Sequence, residues 1–337
     1  MGWDQILGHD LPRRQLEAAK RRGRLGHAYL FAGPSGVGKA LFAREFAKSL
    51  LCDKQADNAL AACGSCSSCA LVKANHHPDL SLASRPEDKL ELPIEVIREL
   101  GEHLSLTPAR GRHRVVILND ADDLNDASAN CFLKTLEEPP PGAVLILIGS
   151  DPERQLPTIL SRCQVIRFAP LPADVMDKVL AEHGNDDPAQ RARLVRLSGG
   201  SLGQALALND PDLWAFRGRL LRGLSAEKPE TVALAGEWVR FCQDAGKEAA
   251  AKRGRAALVL RLLIGLLENA LRLSVGSELP GDDADESARL KKLADRLGPE
   301  RLGEWLDRCF EADSQINRRV QLELILESLM DALGRAR

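Results

Sequence analysis

The chain has 337 residues, of which 44% are hydrophobic and 28% charged, and its formal net charge is -2. That length exceeds one ordinary domain and predicts about two or three, with a composition that supports a real core. The near-neutral balance argues against an autonomous nucleic-acid binder, which carries a basic surplus, so any DNA contact has to be local or shared with partners. The start, Met1-Gly2-Trp3-Asp4, has neither the basic segment nor the apolar run of a signal peptide. Ile6 stands where a myristoylation motif needs Ser or Thr. The most apolar stretch, Leu258 to Leu273, is short for a membrane span and carries Arg261 and Glu268, which predicts a buried core helix. A cytoplasmic protein is expected.

Residues 1–168 alternate apolar runs with amphipathic segments. Ala28-Tyr29-Leu30-Phe31-Ala32 predicts a short buried strand, Lys39 to Leu51 a helix, Arg114 to Leu118 a second strand and Val144 to Ile148 a third. Strand and helix in alternation imply a mostly parallel sheet covered on both faces. After Pro170-Leu171-Pro172 the chain reads as helices only. A small unit over 169–208 closes on Ser198-Gly199-Gly200-Ser201-Leu202-Gly203, and a Leu- and Ala-rich block fills 209–337. Within that block Gly276 to Glu286 reads as an acidic connection. A last helix is predicted from about Ser314 to Leu333, with Val320, Leu324, Leu329 and Leu333 on its apolar faces. The expected fold class is α/β followed by all-α.

Gly33-Pro34-Ser35-Gly36-Val37-Gly38-Lys39-Ala40 follows the first strand and opens a helix, the setting a phosphate-binding loop requires. Glycines let backbone N–H groups converge on phosphate oxygens at a helix N-terminus, and Lys39 is placed for the outer phosphates. The eighth position departs from the pattern, because Ala40 has no hydroxyl for Mg²⁺. The second strand ends in Asn119-Asp120 where a hydrolysing site carries Asp then Glu. Nucleotide binding through Lys39 and the loop amides stays open, whereas hydrolysis should be depressed by orders of magnitude. The plainer reading of Asn119-Asp120 is a polar strand end.

Four of the eight cysteines, Cys52, Cys63, Cys66 and Cys69, are spaced C-x10-C-x2-C-x2-C. Without a secretion signal this clustering argues for metal rather than disulfides. Four thiolates suit a closed, structural Zn²⁺ site. An iron–sulfur centre is the rival, although the Cys-Pro that would complete its pattern is replaced by Lys73 and Ala74. His76 and His77 are spare ligands or, more simply, turn histidines before Pro78. Cys131, Cys163, Cys242 and Cys309 are isolated and read as packing residues.

Ser161-Arg162-Cys163 follows Leu145 to Pro152, a strand running into a turn. An arginine there can reach a neighbour's nucleotide; the plainer reading ties it to a carboxylate of its own domain.

These residues together resemble the clamp-loader branch of the AAA+ ATPases. The resemblance rests on His27 to Phe31, the phosphate loop, the four-Cys insertion, Leu133-Lys134-Thr135-Leu136-Glu137-Glu138-Pro139-Pro140, and Leu160-Ser161-Arg162-Cys163. It implies three parts: an AAA+ nucleotide-binding domain over 1–168 with the cysteine insertion at 52–69, a helical lid over 169–208, and a helical collar over 209–337 that joins five subunits. It implies partners of the gamma/tau and delta kind, and through them the sliding clamp and primed DNA. Arg162 matches the arginine that such subunits point into the next subunit's ATP site. Ala40, Asn119-Asp120 and Gly203 stand where hydrolysing members carry Thr, an Asp-Glu pair and a lid arginine, which implies a non-hydrolysing member. Two other readings are an active ATP-hydrolysing (gamma/tau type) subunit relying on Asp120, and a zinc-dependent nucleic-acid-binding module. The insertion from Asp53 to Leu71 carries only Lys54 against Asp53 and Asp57, which disfavours the latter.

Overall fold

A computed structural model describes residues 2–54, 59–86, 89, 91–277, 284–318 and 320–335. The chain divides into two compact units, Met1–Ala205 and Leu206–Arg337.

The first unit is built on five parallel strands in the order β2-β3-β4-β1-β5: β1 (Ala28–Ala32), β2 (Leu80–Ala83), β3 (Arg114–Leu118), β4 (Ala143–Gly149) and β5 (Gln164–Arg167). The three strands predicted from apolar runs are β1, β3 and β4, and every residue in them is buried. Side chains alternate across a strand, so Tyr29, Phe31, Val115, Ile117, Ile146 and Ile148 face one hydrophobic cluster, whereas Leu30, Val116, Leu118, Leu145 and Leu147 face another. The first cluster is closed by α2 (Lys39–Leu51), whose Phe42 and Phe46 pack on Phe31 at ring-centroid distances of 5.7 and 6.4 Å. The second is closed by α4 (Ile94–Ser105) and α5 (Asp126–Glu137), through Leu100, Leu104, Phe132 and Leu136. Each such side chain contributes about 1.5–3 kcal/mol by leaving water.

The remaining helices of this unit are α1 (Asp10–Arg21), α3 (Ser67–Lys73), the single turn α6 (Pro157–Leu160), α7 (Ala173–Glu182) and α8 (Pro188–Ser198). Asp187 caps α8 by accepting from Ala189 N, and Gly199 ends it in the left-handed region at φ 57°, as helix C-termini favour. The first turn of α9 (Leu202–Ala207) completes the unit.

The second unit is all-helical: α10 (Pro211–Ser225), α11 (Thr231–Gln243), α12 (Ala249–Ser274), α13 (Ala284–Asn317) and α14 (Leu322–Arg335). The apolar run Leu258 to Leu273 lies inside α12, where Leu260, Leu263 and Leu267 are fully buried. Among the described residues no helix is long and apolar enough to cross a membrane. Phe216 and Phe241 stack with centroids 4.6 Å apart, and Arg217 grips Glu286 with two hydrogen bonds of 2.6 Å. A left-handed Gly298 (φ 71°) followed by Pro299 breaks α13 in two, because proline cannot continue the hydrogen-bond ladder.

The α/β-then-α order is that expected from sequence, with one difference in the last helix. The last helix does not run from Ser314 to Leu333; α13 ends at Asn317 and α14 begins at Leu322. Leu329 and Leu333 are buried in it, but Val320 and Leu324 are exposed; a break between the helices puts those two off the common apolar stripe. Of the predicted acidic connection Gly276 to Glu286, residues 278–283 lie outside the described residues.

Candidate functional site

The phosphate loop begins where β1 ends. Gly36 and Gly38 lie in the left-handed region (φ 76° and 103°), and α2 starts at Lys39, so the strand–loop–helix setting is present with its glycines where only glycine fits readily. Lys39 is buried and folds back on the loop, donating to the carbonyls of Gly33 and of Pro34, the latter at 2.7 Å. Burial pulls its ammonium down to about 8, partly offset by Asp122. Val37 is held from outside by His9, whose Nε2–H donates to the Val37 carbonyl at 2.7 Å. The His9 ring lies 4.9 Å from Phe168, and burial keeps its pKa below the ordinary value.

The segment that follows α8 rests directly on this loop. Ser201 Oγ donates to the Ser35 carbonyl at 2.7 Å, and the Gly203 N–H to the Gly36 carbonyl at 3.0 Å. A Cβ on Gly36 would meet Ser201 Oγ at 2.5 Å, and one on Gly203 would lie 3.0 Å from Gly36 Cα. Ala40 borders a small hollow with Arg44, Leu82, Ile117 and Asn119, so the two positions that should hold Mg²⁺ do face the same space. Neither offers an anionic oxygen. Asp120 turns aside in a left-handed conformation (φ 54°), where its Oδ2 accepts from Arg85 N at 3.2 Å. The acid nearest in effect to Lys39 is Asp122, which bridges Ser150 N (2.7 Å) and Gln155 Nε2 (2.6 Å) at the end of β4. Sequence alone gives no reason to prefer Asp122 over its neighbours Asp120 and Asp123, and nothing marks His9. These residues do not fit a hydrolysing Mg²⁺–nucleotide.

Arg162 sits at the other end of the sheet. It precedes β5, whose Gln164 pairs with Tyr29 at the start of β1, whereas the phosphate loop leaves the end of β1. Four steps of a strand separate the two ends by about 13 Å. The guanidinium is held by Glu137 (Nη2 to Oε1, 2.6 Å), by the Thr158 carbonyl (3.0 Å) and by Ser161 Oγ (3.0 Å). The side chain is one-third exposed and its carboxylate partner about half exposed. The plainer reading, an arginine paired within its own domain, therefore describes the isolated chain.

The four cysteines come together. Cys52 ends α2, Cys66 caps α3 by accepting from Cys69 N, and all four Sγ atoms lie within 4.8 Å of one another. Cys52 and Cys66 are 3.8 Å apart, too far for a disulfide and equal to the edge of about 3.8 Å expected for thiolates 2.3 Å from a tetrahedral ion. Burial pushes the Cys52 and Cys69 thiols up, so without a cation these sulfurs hold their protons. The donor set fits a metal ion. Asp53 supports it by accepting from Ser68 Oγ (2.6 Å), Ser68 N and Ser67 Oγ. His77, just before Pro78, is buried; it accepts from Asp79 N at Nδ1 and so donates from Nε2 to Ser68 Oγ. Neither His77 nor the exposed His76 belongs to the sulfur cluster. Cys242 and Cys309 are buried packing residues, while Cys131 and Cys163 are partly exposed.

The loop, the parallel sheet and the altered metal positions define a phosphate-loop α/β fold joined to a helical unit. A family model described as DNA polymerase III, delta subunit, matches residues 9–172. The chain is similar to DNA polymerase III subunit delta' of Pseudomonas aeruginosa, with 36% identity over 241 residues and 70% of each chain covered. It is similar to subunit delta' of Escherichia coli K12, with 32% identity over 302 residues, 90% of this chain and 86% of that one. Subunit tau of the same organism is 30% identical over 87% of this chain, which covers 47% of tau. The chain belongs to the delta-prime family of DNA polymerase III subunits.

Proposed function

We propose that this chain is a non-hydrolysing subunit of a cytoplasmic sliding-clamp loader, and that its contribution to ATP turnover is made on a neighbouring gamma/tau-type subunit through Arg162. The observation that carries this reading is the contrast between the two ends of its sheet. At one end Lys39 is turned onto its own loop, Ala40 and Asn119 offer no anionic ligand for Mg²⁺, and the lid sits on the loop backbone. At the other a guanidinium is held with part of its surface open to solvent. A cation placed there can neutralise charge developing on a γ-phosphate. On this reading the first unit comprises the nucleotide-binding domain and most of the lid, and the second is a collar that joins five subunits, with the clamp and primed DNA reached through the assembly. The four thiolates hold structural zinc, which ties the end of α2 to α3 and supplies no chemistry to the reaction.

The test is the reconstituted clamp loader carrying Arg162→Ala, with the other ATP sites disabled so that the adjacent site is read alone. Turnover there is expected to fall by about 10³-fold, with assembly on gel filtration unchanged. Normal turnover and clamp loading would falsify the role. The similarity to tau favours one rival, an active ATPase; substantial turnover by the purified chain would sustain it.

A further inference from the structure

We infer that Glu137 is a positioning residue for Arg162: it holds the guanidinium in the orientation in which a neighbour's phosphate can take it. The inference rests on the reading of Arg162 given above. Glu137 is the last residue of α5, which crosses from the end of β3 back to the start of β4, so its carboxylate lies at the sheet end where β5 begins. The helix end is pinned there, since His27 Nε2 bonds the Leu136 carbonyl at 3.0 Å. From the other side, the Thr158 carbonyl and Ser161 Oγ take the two protons of Nη1. Ser161 Oγ is itself fixed by donating to that same Thr158 carbonyl at 3.0 Å.

A guanidinium has five N–H donors. Glu137 takes one on Nη2, and Thr158 and Ser161 take two on Nη1. Among the described residues the Nε–H and the second Nη2 proton have no acceptor, and these are the donors left for an incoming anion. An unrestrained arginine loses rotamer freedom when it is fixed; here three partners have already fixed it. The pair is too exposed to matter much for folding, because solvent screens half-exposed ion pairs. Its worth lies in orientation. A carboxylate paired with the arginine could instead restrain it from leaving, and the two roles predict opposite signs.

The experiment compares Glu137→Ala, Glu137→Gln and Arg162→Ala in the reconstituted complex, reading kcat and KM at the adjacent ATP site with thermal melting of each chain as control. Positioning predicts that Glu137→Ala lowers kcat about tenfold with KM and melting little changed, and that Glu137→Gln, which still accepts a hydrogen bond, recovers most of the loss. A rise in kcat overturns the inference in favour of a restraint, and unchanged kcat overturns it outright. If Arg162→Ala lowers kcat but Glu137→Ala does not, the arginine role stands and only the positioning role falls. If Arg162→Ala has no effect, both fall.

Discussion

The backbone of Gly203 lies on the backbone of Gly36, joined by an N–H···O hydrogen bond of 3.0 Å and leaving no room for a side chain between them. The absence of a side chain at Gly203 is thus what lets the start of α9 seat on the loop. Gly203→Arg should push α9 off the loop and lower the melting temperature by several degrees. Gly36→Ala should do the same through a clash with Ser201 Oγ and a left-handed φ that costs an alanine about 1–2 kcal/mol. Melting curves of both variants at or above the parent's would show that the contact carries no stability.

Lys39 titrates with a definite sign. Its pKa falls to about 8 on folding, mainly through burial, so between that value and its unfolded value near 10.5 the unfolded chain binds more protons. Stability from this group therefore rises with pH across that window. Relative to Lys39→Met, the parent should gain stability between pH 7.5 and pH 10 in denaturant titrations. A constant difference across that range would contradict a buried ammonium.

Asp79 is fully buried and accepts from the amides of Ala109 (2.7 Å) and Arg110 (2.8 Å) and from Arg114 Nη2 (3.1 Å). Burial opposes its ionisation, but these donors outweigh it and the carboxyl is held below its ordinary range. Its contribution is present above the unfolded pKa of about 3.9 and is lost as pH falls through the lower folded value. Asp79→Asn should cost about 3 kcal/mol at pH 7 by leaving Arg114 buried opposite no charge. It should also flatten the loss of stability below pH 4. Equal urea midpoints at pH 7 would refute this.

One zinc ion per chain is expected by elemental analysis, without the visible absorption of an iron–sulfur centre. Cys69→Ser or a strong chelator should release it and lower the melting temperature, with turnover in the arginine assay unaffected, because α3 precedes β2 and Arg162 precedes β5, the two opposite edge strands of the sheet. Visible absorption with iron present would reassign the metal.

Sequence reading reached the strands that are buried on both faces, because their apolar runs are continuous. It did not reach β2, which is four residues long, or β5, where only Ile166 is buried. Spacing alone assembled the four thiols. The supports around them were not legible, since Asp53 and His77 act through Ser68, and a hydroxyl in a short helix advertises no partner. Glu137 lies within the segment Leu133 to Pro140, yet its contact with Arg162 spans 25 residues and a whole strand. Polar contacts of that range leave no periodic trace.

Parallel strands give the first unit a direction, with the phosphate loop at one end and Arg162 at the other. On the proposed reading, such subunits would meet head to tail with each arginine facing the next loop, and heterologous contacts of that kind extend or close into rings. A member able to give but not to receive breaks that equivalence. On that reading it would stand only at the head of the series, so its place in the circle would set both where the working sites begin and the sense in which they follow one another.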